Sequence, residues 1–181
     1  MESPSRDCAM MTEHQQELYE MLLTYPRTPA ARKAQKRSPM EFVIQHGWWY
    51  EPGGAMKDIE QGTVQECHKN AQLLANDYDS LTYCEGFALD KSGSLIVVHA
   101  WVTDGTGRAI DNTWDQPGIA YAGVPFKISF IRLTCLKNKA HLSVIDDWIN
   151  DFPLLNGLGE KPEIWLDERG KGIGRLNDSA D

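Results

Sequence analysis

The sequence predicts an α+β chain, with N-terminal helices leading into a helix packed on an antiparallel β-meander. Three observations carry that expectation. Capping boxes begin helical stretches at Thr12 and Ser38. In each, the hydroxyl accepts from an amide three residues on, and a Glu or Gln there returns a bond to the cap amide. A third box, Thr63-Val64-Gln65-Glu66, precedes apolar residues at helical spacing. Strand-like runs then follow at 81–89, 95–103 and 108–114, separated by turn signals at 90–93 and 104–107.

Taken in order, the first helix carries Leu18, Met21 and Leu22 on one face and ends by Pro26. The next starts with Ser38 as cap and Pro39 in its first turn, and Gly47 stops it. Trp48-Trp49-Tyr50 reads as core packing, the alternative being an aromatic rim. The third helix runs from the Thr63 box to about Asn76, with Val64, Cys67, Ala71, Leu74, Ala75 and Tyr78 on its inward stripe. Segment 121–136 fits a helix through Ile128, Ile131 and Cys135, although part of it alternates like a strand. Ser143 opens a last helix through Val144, Ile145, Trp148 and Ile149.

With 181 residues, 41% hydrophobic and 24% charged, the chain is long enough for one domain with its own core. The reading divides it into an N-terminal helix and basic linker (1–37), a main domain (38–166) and a polar, Gly-rich tail (167–181) expected to fray. Segment 27–37 holds five basic residues and no acidic one, and reads as a solvated linker. Eighteen basic against 26 acidic residues give a net charge of −8, which argues against a phosphate-neutralising surface and so against nucleic acid as partner. The most apolar run, 95–102, is interrupted by His99, and Glu2 opens an N-terminus without an apolar signal region. The expectation is a cytoplasmic protein with no membrane partner. Its four scattered cysteines, Cys8, Cys67, Cys84 and Cys135, form no CxxC pair and are expected as free thiols.

The chemistry centres on three residues: Cys67 near a helix N-terminus, His99 within an apolar strand, and Asp111 on the next strand. A thiol attacks as thiolate, and an unperturbed cysteine is only a few per cent ionised at neutral pH. Helix-terminal amides and a histidine that takes the proton supply the stabilisation, and a carboxylate fixes the imidazole tautomer. Alone, Cys67 reads as a core residue, His99 as a satisfied core histidine and Asp111 as a turn residue. Their conjunction supports a triad. A three-residue loop at 104–106 would pair Thr103 with Gly107 and set His99 opposite Asp111, whereas a two-residue turn would send the two to opposite faces.

The segments ECHKNAQLLA, YCEGFAL, VHAWVTDGTGRAIDNTW and YAGVPF resemble the transglutaminase-like branch of the papain-like cysteine hydrolases and acyltransferases. The resemblance covers about residues 62–126. It implies a papain-like catalytic domain with Cys67 as nucleophile, His99 as general base and acid, and Asp111 as orienter. Cys67 is followed by His68 rather than by the Trp of animal transglutaminases, and the chain lacks the length for their accessory domains.

Gln61 and Gln65 are candidates for an oxyanion donor, since acyl transfer needs N–H groups aimed at the developing charge. Trp101, Trp114 and Glu85 are substrate-site candidates, with one tryptophan expected to wall the site and the other to pack in the core; Glu85 could instead satisfy backbone groups. The expected activity is a thiol-dependent hydrolase or acyltransferase of peptidase, isopeptidase or deamidase type. It acts on a peptide, protein or small acyl substrate through a thioester, with no cofactor and no metal. The alternatives are a noncatalytic binding or inhibitory domain retaining the fold, and a metal site using Cys67, His68, His99 and Asp111.

Overall fold

The computed structural model describes residues 11–179 and shows a mixed α+β architecture built around a small closed β-barrel. Helices α1 (Glu13–Thr24), α2 (Pro29–Ala34) and α3 (Pro39–His46) come first. The Thr12 and Ser38 boxes form in full, with Gln15 and Glu41 completing them. Strand β1 (Trp48–Gly53), helix α4 (Cys67–Asp77), strands β2 (Thr82–Leu89), β3 (Ile96–Thr103), β4 (Arg108–Ile110) and β5 (Ala120–Phe126) and helix α5 (Ile128–Asn138) follow.

The strands lie in the order β4-β3-β2-β5-β1, and Glu51–Gly53 of β1 pair in parallel with Arg108–Ile110 of β4 to close the ring. Closure removes the unpaired edges that an open sheet would expose. Side chains alternate across the barrel wall. Trp48, Tyr50, Cys84, Trp101 and Tyr121 fill the interior. Gly123 makes room for them, because a Cβ there would stand 2.5 Å from the Trp101 ring. Outside, Phe87, Ala100, Val102 and Phe126 belong to one apolar cluster with Leu18 and Leu22 of α1, Phe42 of α3 and Ala71 of α4. Full burial of a side chain such as Leu18 contributes about 1.5–3 kcal/mol, which anchors α1 to the barrel.

Several expectations are corrected. The basic segment contains α2, capped by the Thr28 side chain, and Arg27 bonds Glu41 and the Gln35 carbonyl. The Thr63 box does not start a helix: Val64 is exposed, Gln65 takes a left-handed φ of 67°, and α4 begins at Cys67. The Trp48-Trp49-Tyr50 run is buried, in line with the core reading, but it forms strand β1, which was not expected. Segment 121–136 divides at Lys127 into strand and helix. The last expected helix is reduced to a single turn at Trp148–Asn150, with Trp148 largely exposed. Short helices α6 (Pro153–Asn156) and α7 (Pro162–Trp165) follow. The segment read as a fraying tail instead forms strand β6 (Gly174–Arg175), which pairs with Trp48 and Trp49, while Leu176 is fully buried. Cys8 lies outside the described residues. Among those residues, no helix is long and apolar enough to cross a membrane.

The hairpin register is Val102 opposite Ile110, two positions from the Thr103–Gly107 pairing expected. The shift is even, so His99 and Asp111 stay on one face. Gly105 and Gly107 both take φ of 84°, the left-handed conformation that such a turn requires.

Candidate active site

Asp111 follows β4 directly and is almost wholly buried. Its Oδ1 accepts from the amides of Thr113 and Trp114, at 2.9 and 3.3 Å, so the carboxylate does build a turn. Its Oδ2 bonds His99 Nε2 at 2.7 Å and accepts from the Tyr121 hydroxyl at 3.0 Å. Tyr121 is itself aligned by the Gly118 amide, which donates to its oxygen at 2.8 Å. Turn residue and orienter are therefore one group using two oxygens.

His99 is 1% exposed and lies flat against Trp114, with ring centroids 4.1 Å apart and planes 20° from parallel. Burial disfavours its cation, but hydrogen bonds to Asp111 and Cys67, together with their charges, outweigh burial and push its pKa up to about 9. Asp111 is held below its usual range: burial opposes this, and the His99 bond and charge, the Thr113 amide and Tyr121 prevail. Because Asp111 occupies Nε2, Nδ1 is the ring nitrogen left for the thiol.

Cys67 is the first residue of α4, partly buried, and the helix has no side-chain cap, so the first-turn amides are not engaged by a capping side chain. Asn70, one turn along, ties this helix start to the Asp111 loop. Its Nδ2 donates to the Thr63 carbonyl at 2.8 Å and to Thr113 Oγ1 at 3.0 Å, while its Oδ1 accepts from the Thr63 amide. The Gly62 amide adds a bond to the Asn112 carbonyl at 2.7 Å. A Cβ at Gly62 would overlap the Asn70 amide at 2.3 Å, so glycine there lets the clamp close. Sequence reasoning missed Asn70 and Tyr121. The available signal for Asn70 was its i+3 spacing from Cys67, on the same helix face; Tyr121 had no comparable signal.

The remaining candidates separate. Trp114 stacks on the imidazole, whereas Trp101 is fully buried inside the barrel. The Gln61 amide nitrogen donates to Asp115 and is 3.5 Å from the Thr113 carbonyl, at the exposed rim of the same loop. Gln65 is exposed, and its left-handed backbone turns the chain into α4. Glu85 is 1% exposed and satisfies backbone groups: it accepts from the Val144 and Ile145 amides at 2.9 and 3.2 Å, and from Ser143 and Tyr83. His68 Nδ1 contacts the Tyr83 hydroxyl at 3.1 Å and Glu85 at 3.7 Å. Cys84 is buried in the barrel, and burial pushes its thiol pKa well up; burial also raises that of Cys135.

Among the described residues, no group of three or more His, Cys, Asp or Glu side chains is placed to hold a metal ion. No known protein family, curated protein or solved structure matches this chain.

Proposed function

We infer that the protein is a thiol-dependent hydrolase or acyltransferase with a papain-like, transglutaminase-like catalytic domain, acting on an amide or related acyl bond. The observation that carries this reading is the buried His99–Asp111 bond with the Cys67 thiol acting on the same imidazole from a helix N-terminus. A histidine so strongly favoured as its cation is suited to take the thiol proton and hold the resulting thiolate. Asp111 fixes the proton on Nε2, leaving Nδ1 as the base. The Cys67 sulfur attacks the acyl carbon, the first-turn amides of α4 stabilise the oxyanion, and His99 returns the proton to the leaving group. Water or an amine, deprotonated by His99, then releases the acyl group from the thioester and regenerates the thiol.

Intact-mass analysis after mixing with p-nitrophenyl acetate tests this reading. The expected result is a transient acetyl adduct mapping to Cys67 and a burst of nitrophenolate, both absent in Cys67→Ala. An adduct on other cysteines only, or an equal burst in Cys67→Ala, would overturn it.

A further inference from the structure

A cavity of about 450 Å³ lies where α3, the start of α4 and strands β2 and β3 meet, a size suited to a small ligand or one side chain. It is lined by His68, the residue after Cys67, and by Gly86, the strand partner of His99. Its apolar walls include Met40, Phe87, Val98 and Ile145. Two carboxylates, Glu85 and Asp146, also border it. Its guanidinium, Arg27, is held by Glu41 at 3.2 Å and by the Gln35 carbonyl at 2.7 Å.

The hydrogen-bonding role of His68 Nδ1 follows from its partners. Glu85 is an acceptor for Ser143, Val144 and Ile145. The Tyr83 hydroxyl has one proton and gives it to Glu85 Oε2 at 2.7 Å. Burial, with the Glu85 charge, raises the Tyr83 pKa far above its ordinary value, so that proton stays. The Tyr83 oxygen is then the acceptor for His68 Nδ1, 3.1 Å away. The neutral form of the His68 ring that fits these bonds carries its proton on Nδ1 and its lone pair on Nε2.

We propose that this cavity receives the acyl group, and that His68, locked by Tyr83 and Glu85, offers Nε2 as an acceptor to an N–H or O–H of the substrate. This rests on the acyl-transfer reading of Cys67 and narrows it. The preferred acyl donor has an apolar body and a hydrogen-bond donor, and lacks a carboxylate at that position, which Glu85, Asp146 and the His68 lone pair would repel. His68 is a specificity residue, and Tyr83 and Glu85 are positioning residues behind it.

Three p-nitrophenyl esters of similar length test the preference: N-acetyl-β-alanine, hexanoate and adipate. The amide-bearing ester should exceed hexanoate in kcat/KM by about ten-fold, the worth of one hydrogen bond, and adipate should fall below both. His68→Ala should erase the amide advantage through KM rather than kcat, and Tyr83→Phe should reduce it. An amide advantage that survives both substitutions, or a preference for adipate, overturns the proposal.

A second arm is independent of turnover. In ¹⁵N-histidine-labelled protein, the resonances lost in His68→Gln should show the Nδ1–H tautomer, and titration with N-acetyl-β-alaninamide should shift the Nε2 resonance. An Nε2–H tautomer, or no shift at saturating ligand, overturns the proposal even if Cys67 is the nucleophile. A shift without ester turnover in wild type would refute the acyl reading while leaving the recognition site standing.

Discussion

Two buried carboxylates, one on each side of the barrel wall, are satisfied in parallel ways and act differently on the histidines beside them. Asp111, at the end of β4, accepts two backbone amides, one tyrosine hydroxyl and the His99 ring. Glu85, on the outer face of β2, accepts two backbone amides, a serine and a tyrosine hydroxyl, and reaches His68 chiefly through that tyrosine. Direct contact favours the cation of His99. At His68 a tyrosine hydroxyl stands between, bonded to both groups, and the Glu85 oxygen is 3.7 Å from Nδ1. One intervening phenol separates the two arrangements, and with it the two roles proposed for the histidines.

The sharpest way to break that comparison is Asp111→Asn. The amide keeps the two turn bonds through its oxygen but presents N–H to His99, reversing the tautomer and placing a proton on Nδ1 where the base is needed. Turnover of an acyl substrate should fall about 10⁴-fold, with the circular dichroism spectrum retained. Glu85→Ala acts on the other side: it orphans the Val144 and Ile145 amides and should lower stability by about 3 kcal/mol, read from urea unfolding. Tyr121→Phe is smaller. It removes one of the two bonds on Asp111 Oδ2 and should reduce kcat by about ten-fold, with KM little affected.

The pH dependence sharpens the contrast further. His99, raised to about 9, contributes stability that is fully present below pH ~6.5, the ordinary histidine value, and lost as pH rises through about 9. His46, packed on Phe42 and Trp165, has the opposite sign: burial, then the charges of Arg37 and Arg175, pull it down to about 4. It subtracts stability as pH falls from about 6.5 toward 4, since the unfolded chain takes that proton first. Histidine NMR titration against pH, combined with urea midpoints, checks both directions; His99→Gln should remove only the alkaline loss.

Much of this was legible in the chain because it depended on local chemistry. The Thr12 and Ser38 caps act within one turn, so their residues suffice to identify them. The face shared by His99 and Asp111 needed only the parity of the hairpin, which a shift of two leaves intact. What escaped was set by distant partners. Strand β1 has no polar alternation at Trp48-Trp49-Tyr50 because both its faces are covered, one by the barrel interior and one by α1. The tail looked polar and Gly-rich, yet Gly172, where a Cβ would overlap the Trp49 carbonyl, lets it run against Trp49, whose carbonyl takes the Ile173 amide. The start of α4 was misplaced because Asn70 and Gly62 draw segment 62–66 onto the Asp111 loop, a contact that overrides the capping pattern at Thr63.

The central proposal is that His99, oriented by Asp111, activates the Cys67 thiol for attack. Its most direct test is the rate of iodoacetamide modification of each cysteine at pH 6, resolved by peptide mapping, in wild type, His99→Ala and Asp111→Asn. Cys67 should react far faster than Cys84 or Cys135 in wild type, and its advantage should collapse in His99→Ala and shrink in Asp111→Asn. A Cys67 that reacts no faster than Cys135 at that pH, or whose rate is indifferent to loss of the His99 ring, would contradict the account.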